Sequence, residues 1–153
     1  MLIEVRPDPF DTFAEIKLFQ SDFSNNGKFG ATACFIGSMR DFNEGDSVKS
    51  MTLEYYPGMT EKHLQEICAE ACRRWTLLDV LLLHRVGEIH IADPIVLVSV
   101  WTAHRGDAFD ACRFIMEDLK SKAPFWKKEV LNDGERWVES NTSGYAEQKE
   151  KYE

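Results

Sequence analysis

Apolar residues recur along this chain with two periods. At Leu64, Ile67, Cys68, Ala71 and Trp75 they return every three or four positions, which predicts a helix over residues 60–75. Thr60 suits its N-cap, and Glu61 lies near its positive end. A second stripe, Ala108, Ala111, Cys112, Ile115 and Leu119, predicts a helix over 107–122 that Pro124 stops. A shorter amphipathic helix is expected over 10–19, after "RPDP", whose prolines suit its first turn. Elsewhere the period is two or vanishes. Residues 30–37, "GATACFIG", are small and apolar on both alternating faces, as in a strand buried on both sides. Residues 49–56 alternate like a half-exposed strand, with Met51, Leu53 and Tyr55 on one face. Two more strands are expected over 78–86 and 94–102, and the unbroken run "IVLVSVW" makes the second central in its sheet. "FWKKEVLNDGERWVE" resembles a hairpin turning at Asn132, Asp133 and Gly134. This order of elements predicts an α+β fold, a sandwich in which helices cover one face of a mixed sheet. One domain is expected over 1–140, followed by a polar, aperiodic tail over 141–153 that is mobile or ordered only by a partner.

Composition narrows the picture. With 153 residues, 44% of them hydrophobic and 29% charged, the chain matches one globular domain that needs no disulfide or structural metal. A net charge of -8 argues against wholesale attraction to nucleic acid or anionic lipid, so an anion site must be local. The first residues, "MLIEVRPDPFD", are too charged for a signal peptide, and "LLDVLLLHRV" is interrupted by Asp79, His84 and Arg85. A soluble, cytoplasmic protein is expected. Cys34, Cys68, Cys72 and Cys112 form no CxxC pair and fit reduced thiols. Cys68 and Cys72 share a helix face and could grip a metal with His63 or His84, but a small buried hydrophobe is the commoner role for such cysteines.

Cationic residues gather at three element ends. Arg40 follows the strand in "FIGSMRDFN", where amides around Ser38 and Met39 could point at an anion. His104 and Arg105 leave the central strand where a helix begins, beside its free amides. Lys120 and Lys122 end that helix, and Lys127 and Lys128 follow the turn at Pro124 in "SKAPFWKKEV". A lysine crowded by other cations and partly desolvated has a lowered pKa, which frees its amine as base or nucleophile. Phe125 and Trp126 could exclude water and offer a flat face to a ring. Each feature has a plain alternative. Lysines at a helix C-terminus complement its dipole, aromatics are commonly core anchors, His104 could be structural, and Arg40 could pair with Asp41. Only their joint placement points to an anion site.

"FIGSMRDFNEGDSV", "LEYYPGMTEKHL", "HRVGEI", "TAHRGDAFDACRFIMEDLKSKAPFWKKE" and "RWVE", in that order, resemble the large catalytic subunit of molybdopterin synthase, over roughly residues 30–139. The resemblance implies an α/β hammerhead fold with an added β-rich subdomain. It implies a sulfurtransferase of molybdenum cofactor biosynthesis, which converts cyclic pyranopterin monophosphate (precursor Z) to molybdopterin. The sulfur would arrive as a thiocarboxylate on the C-terminal glycine of a small ubiquitin-like subunit, within a heterotetramer built on a homodimer of large subunits. By matching motif, Lys120 is implied to be catalytic and Lys127 to hold substrate and assist. Arg40, His104 and Arg105 would bind phosphate and pterin, and Ser38, Met39, Lys128 and Glu129 would line the same pocket. No metal or other cofactor is implied, since molybdenum enters later. The competing class is a non-enzymatic module that binds a nucleotide or a partner's C-terminal tail, and it would tolerate Lys120→Arg.

Overall fold

The computed structural model describes residues 1–138. The expected α+β architecture is present, built on two sheets. The first has the strand order β1 (Leu2–Arg6), β5 (Leu77–Arg85), β7 (Pro94–Thr102), β2 (Ala31–Ser38). It is mixed, because β1 runs parallel to β5 while β7 is antiparallel to both β5 and β2. β7 is central, as its unbroken apolar run requires. Val96, Val98 and Val100 face one core, and Leu97 and Trp101 the other.

The helices do not all cover one face. α2 (Met59–Arg74) and α3 (Arg105–Lys122) pack on the Val96 side, where Leu64, Ile67, Ala71, Ala111 and Ile115 close a core with the sheet. α1 (Thr12–Ser21) lies on the opposite face, where Phe19 and Phe23 stack around Trp101 at centroid separations of 5.2 and 5.6 Å. The physical reason is β7 itself: a strand apolar on both faces must be covered twice. The prolines precede α1 rather than enter it. Asp11 caps it by accepting from the amides of Phe13 and Ala14, both at 3.0 Å.

Two further expectations need correction. Residues 30–37 were expected to be buried on both sides, yet β2 is an edge strand, with α3 over one face and Cys34 and Phe35 exposed. Thr60 is not the N-cap of α2. Gly58 is, at φ 82°, and its amide donates to Glu61 at 2.7 Å. Thr60 is fully buried instead. Its hydroxyl accepts from the Tyr56 amide at 3.1 Å and donates to the Pro124 carbonyl at 3.2 Å, tying the start of α2 to the turn after α3.

The second sheet forms the β-rich unit. It orders β3 (Phe42–Asn43), β4 (Asp46–Tyr55), β8 (Phe125–Leu131) and β9 (Glu135–Trp137), with β6 (Gly87–His90) also paired to β4. β8 and β9 are the expected hairpin, closed where the Leu131 amide donates to the Gly134 carbonyl at 2.7 Å. Met39, Val48, Met51, Leu53 and Ile89 give this unit a small core of its own. No helix among the described residues is long and apolar enough to cross a membrane. Glu139 and the expected polar tail lie outside the described residues.

Candidate active site

Where the two sheets meet, the C-terminal end of α3 faces β8 across a cleft of about 360 Å³. Gly37 helps keep it open. Gly37, Val96 and His84 stand in one row across β2, β7 and β5. A Cβ on Gly37 would come within 2.9 Å of the Val96 side chain and 3.2 Å of the Phe35 ring, closer than ordinary van der Waals contact.

The turn at Pro124 sorts the four lysines. Lys120 from α3 and Lys127 from β8 line the cleft, with Arg40 from the segment after β2. Lys122 faces away and pairs with Asp118 at 2.6 Å. Lys128 also points outward, because neighbours in a strand alternate faces. It pairs with Glu135 at 3.0 Å and lies over the Trp137 ring, so the expectation that Lys128 lines the cleft is not met in this chain. The two aromatics divide in the same way. Phe125 lines the cleft and stacks on His84, with centroids 3.9 Å apart and planes at 13°, whereas Trp126 is exposed on the outer face.

Lys120 keeps access to solvent through the cleft mouth, yet protein surrounds most of its amine. That desolvation, then the charges of Lys127 and Arg40, holds its pKa below the usual lysine value. The Lys127 amine has a different environment, 3.7 Å from the buried carboxylate of Glu129. Glu129 also accepts from Asn43 Nδ2 at 2.8 Å and from Arg136 Nε at 3.0 Å. Arg136 continues to Asp46 at 2.7 Å and to the Asn43 carbonyl at 3.0 Å, locking β9 to the turn between β3 and β4. The cleft therefore holds one lysine with a weakened hold on its proton and one fixed beside a carboxylate.

Other expected residues fall elsewhere. Ser38 and Met39 line the cleft, but the Met39 amide donates to the Asp93 carbonyl at 3.0 Å, so it is not free for an anion. The Met39 side chain belongs to the small core. His104 and Arg105 are exposed at the opposite end of α3. An 18-residue helix is about 27 Å long, so one chain cannot bring them to Lys120. Asn43 and Arg136 were not anticipated as site residues, and His84 was weighed only as a metal ligand beside Cys68 and Cys72, neither of which lines the cleft. His84 had one local signal, a polar ring inside the apolar run of β5. Among the described residues no three of His, Cys, Asp and Glu cluster as a metal site. Burial, then neighbouring Cys72, pushes the Cys68 thiol up to about 12, which keeps it protonated.

Fold and cleft together define an α+β protein in which Lys120, Lys127 and Arg40 converge on one cleft and Lys120 holds its proton less tightly than an ordinary lysine. A family model described as "MoaE protein" matches residues 5–122, and the chain belongs to that family. It is 52% identical over 141 residues to the "Molybdopterin synthase catalytic subunit" of Haemophilus influenzae, covering 92% of this chain and 91% of that protein. Among solved structures, the "Molybdopterin biosynthesis MoaE protein" of Burkholderia ambifaria superposes with a TM-score of 0.77 at 46% identity, over 99% of this chain and 98% of that one. The structure of "Molybdopterin Synthase" from Staphylococcus aureus gives 0.79 at 31% identity, over 89% and 96%.

Proposed function

We propose that this chain is the catalytic subunit of a molybdopterin synthase and a sulfurtransferase. It takes cyclic pyranopterin monophosphate as substrate and builds the dithiolene with two sulfurs from the C-terminal thiocarboxylate of a small ubiquitin-like subunit. The observation that carries this reading is the cleft in which Lys120, Lys127 and Arg40 converge while Lys120 holds its proton weakly.

Both reactants are anionic, so their encounter is opposed by charge. Arg40 and Lys127 offset that repulsion, and Lys127 is steadied by Glu129. Their charge also stabilises the oxyanion that develops as sulfur displaces oxygen. Lys120, whose pKa is lowered by desolvation and by the charges of Lys127 and Arg40, gives up its proton more readily than a free lysine and serves as proton acceptor and donor or as transient covalent partner. The flat pterin suits a cleft walled by Phe125 and Phe35.

His104 and Arg105 enter this reading only from a second copy of the chain, since α3 holds them far from Lys120. The open edge of β2, with exposed Phe35 and Cys34, supports such a homodimer. One small subunit at each end would complete a heterotetramer.

The test is single-turnover sulfur transfer with precursor Z and thiocarboxylated small subunit. Wild type should yield dithiolene, and Lys120→Ala should lose at least about a hundredfold in rate while staying folded. A folded Lys120→Ala variant with full activity would remove Lys120 from the mechanism, whereas a wild type that binds the small subunit and forms no dithiolene would be a binding module and not an enzyme.

A further inference from the structure

His84 is the ionisable side chain of the cleft that the chemistry above leaves without a task. It stands in β5 after the apolar run from Val80 to Leu83, and its cross-strand neighbours are Val5 and Val96. A polar ring so placed costs free energy unless its nitrogens find partners. One partner is visible: Nδ1 lies 2.8 Å from the backbone carbonyl oxygen of Arg85. A carbonyl only accepts, so Nδ1 carries the proton. In the neutral ring Nε2 is then a bare acceptor.

The ring is also held in orientation and in charge. Phe125 stacks on one face and restrains rotation. Burial lowers the pKa of His84 to about 4; the Arg85 carbonyl opposes this and the charge of Lys120 adds to it, so the ring is neutral near pH 7. The charged groups sharing the cleft are Lys120 from α3, Lys127 and Glu129 from β8, and Arg40 after β2, while Val5 and Val96 contribute none. Glu129 is already engaged by Asn43, Arg136 and Lys127. The cleft thus sets a neutral acceptor among cationic donors.

We propose that His84 is a positioning residue for Lys120: its unprotonated Nε2 accepts a hydrogen bond from the Lys120 amine and holds that amine toward the reacting centre. The inference rests on reading Lys120 as the reactive lysine. It explains why the two lysines differ. A carboxylate, as beside Lys127, favours the ammonium form, whereas a neutral imidazole fixes an amine without adding the negative charge that would tighten its proton.

The first test needs no substrate. In the full-length chain labelled with [15N]histidine, His84 should show a protonated Nδ1 and an unprotonated Nε2 from about pH 6 to 9. The Nε2 resonance should move when Lys120 is replaced by Met. An unmoved resonance, or the opposite tautomer, would overturn the proposal while leaving the proposed function intact. The second test uses the complete synthase and follows rate against pH. His84→Gln, whose amide oxygen reaches the place of Nε2, should stay within about threefold of wild type in kcat. His84→Asn keeps only the donor to Arg85. It should lose about ten- to a hundredfold in kcat, keep KM for the pyranopterin within about twofold, and displace the pH limb set by Lys120. Equal losses in both variants with an unmoved limb would reduce His84 to a packing role. Where neither variant folds, the spectra of wild type and Lys120→Met decide.

Discussion

Lys120 is held where burial opposes its charge, and this links activity to stability with a definite sign. Its folded pKa lies below the ordinary 10.5, so between those two values the unfolded chain binds more protons and stability rises with pH. Below the folded value the full penalty applies. Lys120→Met should therefore be inactive yet more stable than wild type at pH 7, with the gain shrinking toward pH 10.5, as denaturant melts at several pH values will show. A gain independent of pH would mean that packing, not charge, was relieved. His84 acts in the same direction at acid pH. Its pKa falls from 6.5 unfolded to about 4 folded, so stability is complete above 6.5 and is lost as pH drops to 4, by on the order of 3 kcal/mol. Urea melts from pH 7 to 4 should show this slope in wild type and not in His84→Gln. The sequence pointed to Lys120 and Lys127 through charge crowding. It could not expose the environments that separate them, because the burial of Glu129 beneath Asn43 and Arg136 and the approach of His84 to the cleft arise from strand pairing across the whole chain.

At the level of elements, the pleat of β8 decides which side chains see the cleft. Phe125, Lys127 and Glu129 face inward, while Trp126 and Lys128 face out. Lys127→Ala should cost at least about tenfold in turnover, and Lys128→Ala should stay within about twofold, both read by single-turnover rates. Equal losses would place Lys128 in the site through some other chain. Elements with a strong periodic pattern were legible from sequence: α2, α3, β4, β5, β7 and the β8–β9 hairpin all stand close to their expected bounds. The short strands were not. β3 has two residues and β6 four, and β1 is half-buried throughout, so their pairing partners define them and their composition does not. β2 misled for a related reason. Its small apolar residues fit burial on two sides, but as an edge strand it is covered only in part, with Ala33 and Ile36 packed into the two cores while Cys34 and Phe35 stay exposed.

For the molecule as a whole, a surface of net charge -8 surrounds a positively charged cleft. The surrounding field repels an anionic substrate that the cleft attracts, and dissolved salt weakens both effects. Contact pairs at short range dominate over diffuse charge once the substrate is seated. KM for the phosphate-bearing substrate should therefore rise with ionic strength from about 0.05 to 0.5 M while kcat changes little. A KM insensitive to salt would argue that the phosphate does not meet Arg40 and Lys127. Finally, the buried hydroxyl of Thr60 bonds to a carbonyl sixty-four residues further along the chain, and β4 waits for β8 over a similar span. A nascent chain can thus complete both central helices before the strand bearing Lys127 has left the ribosome. Catalytic competence is among the last properties this protein acquires as it folds, and refolding should restore helical signal before it restores activity.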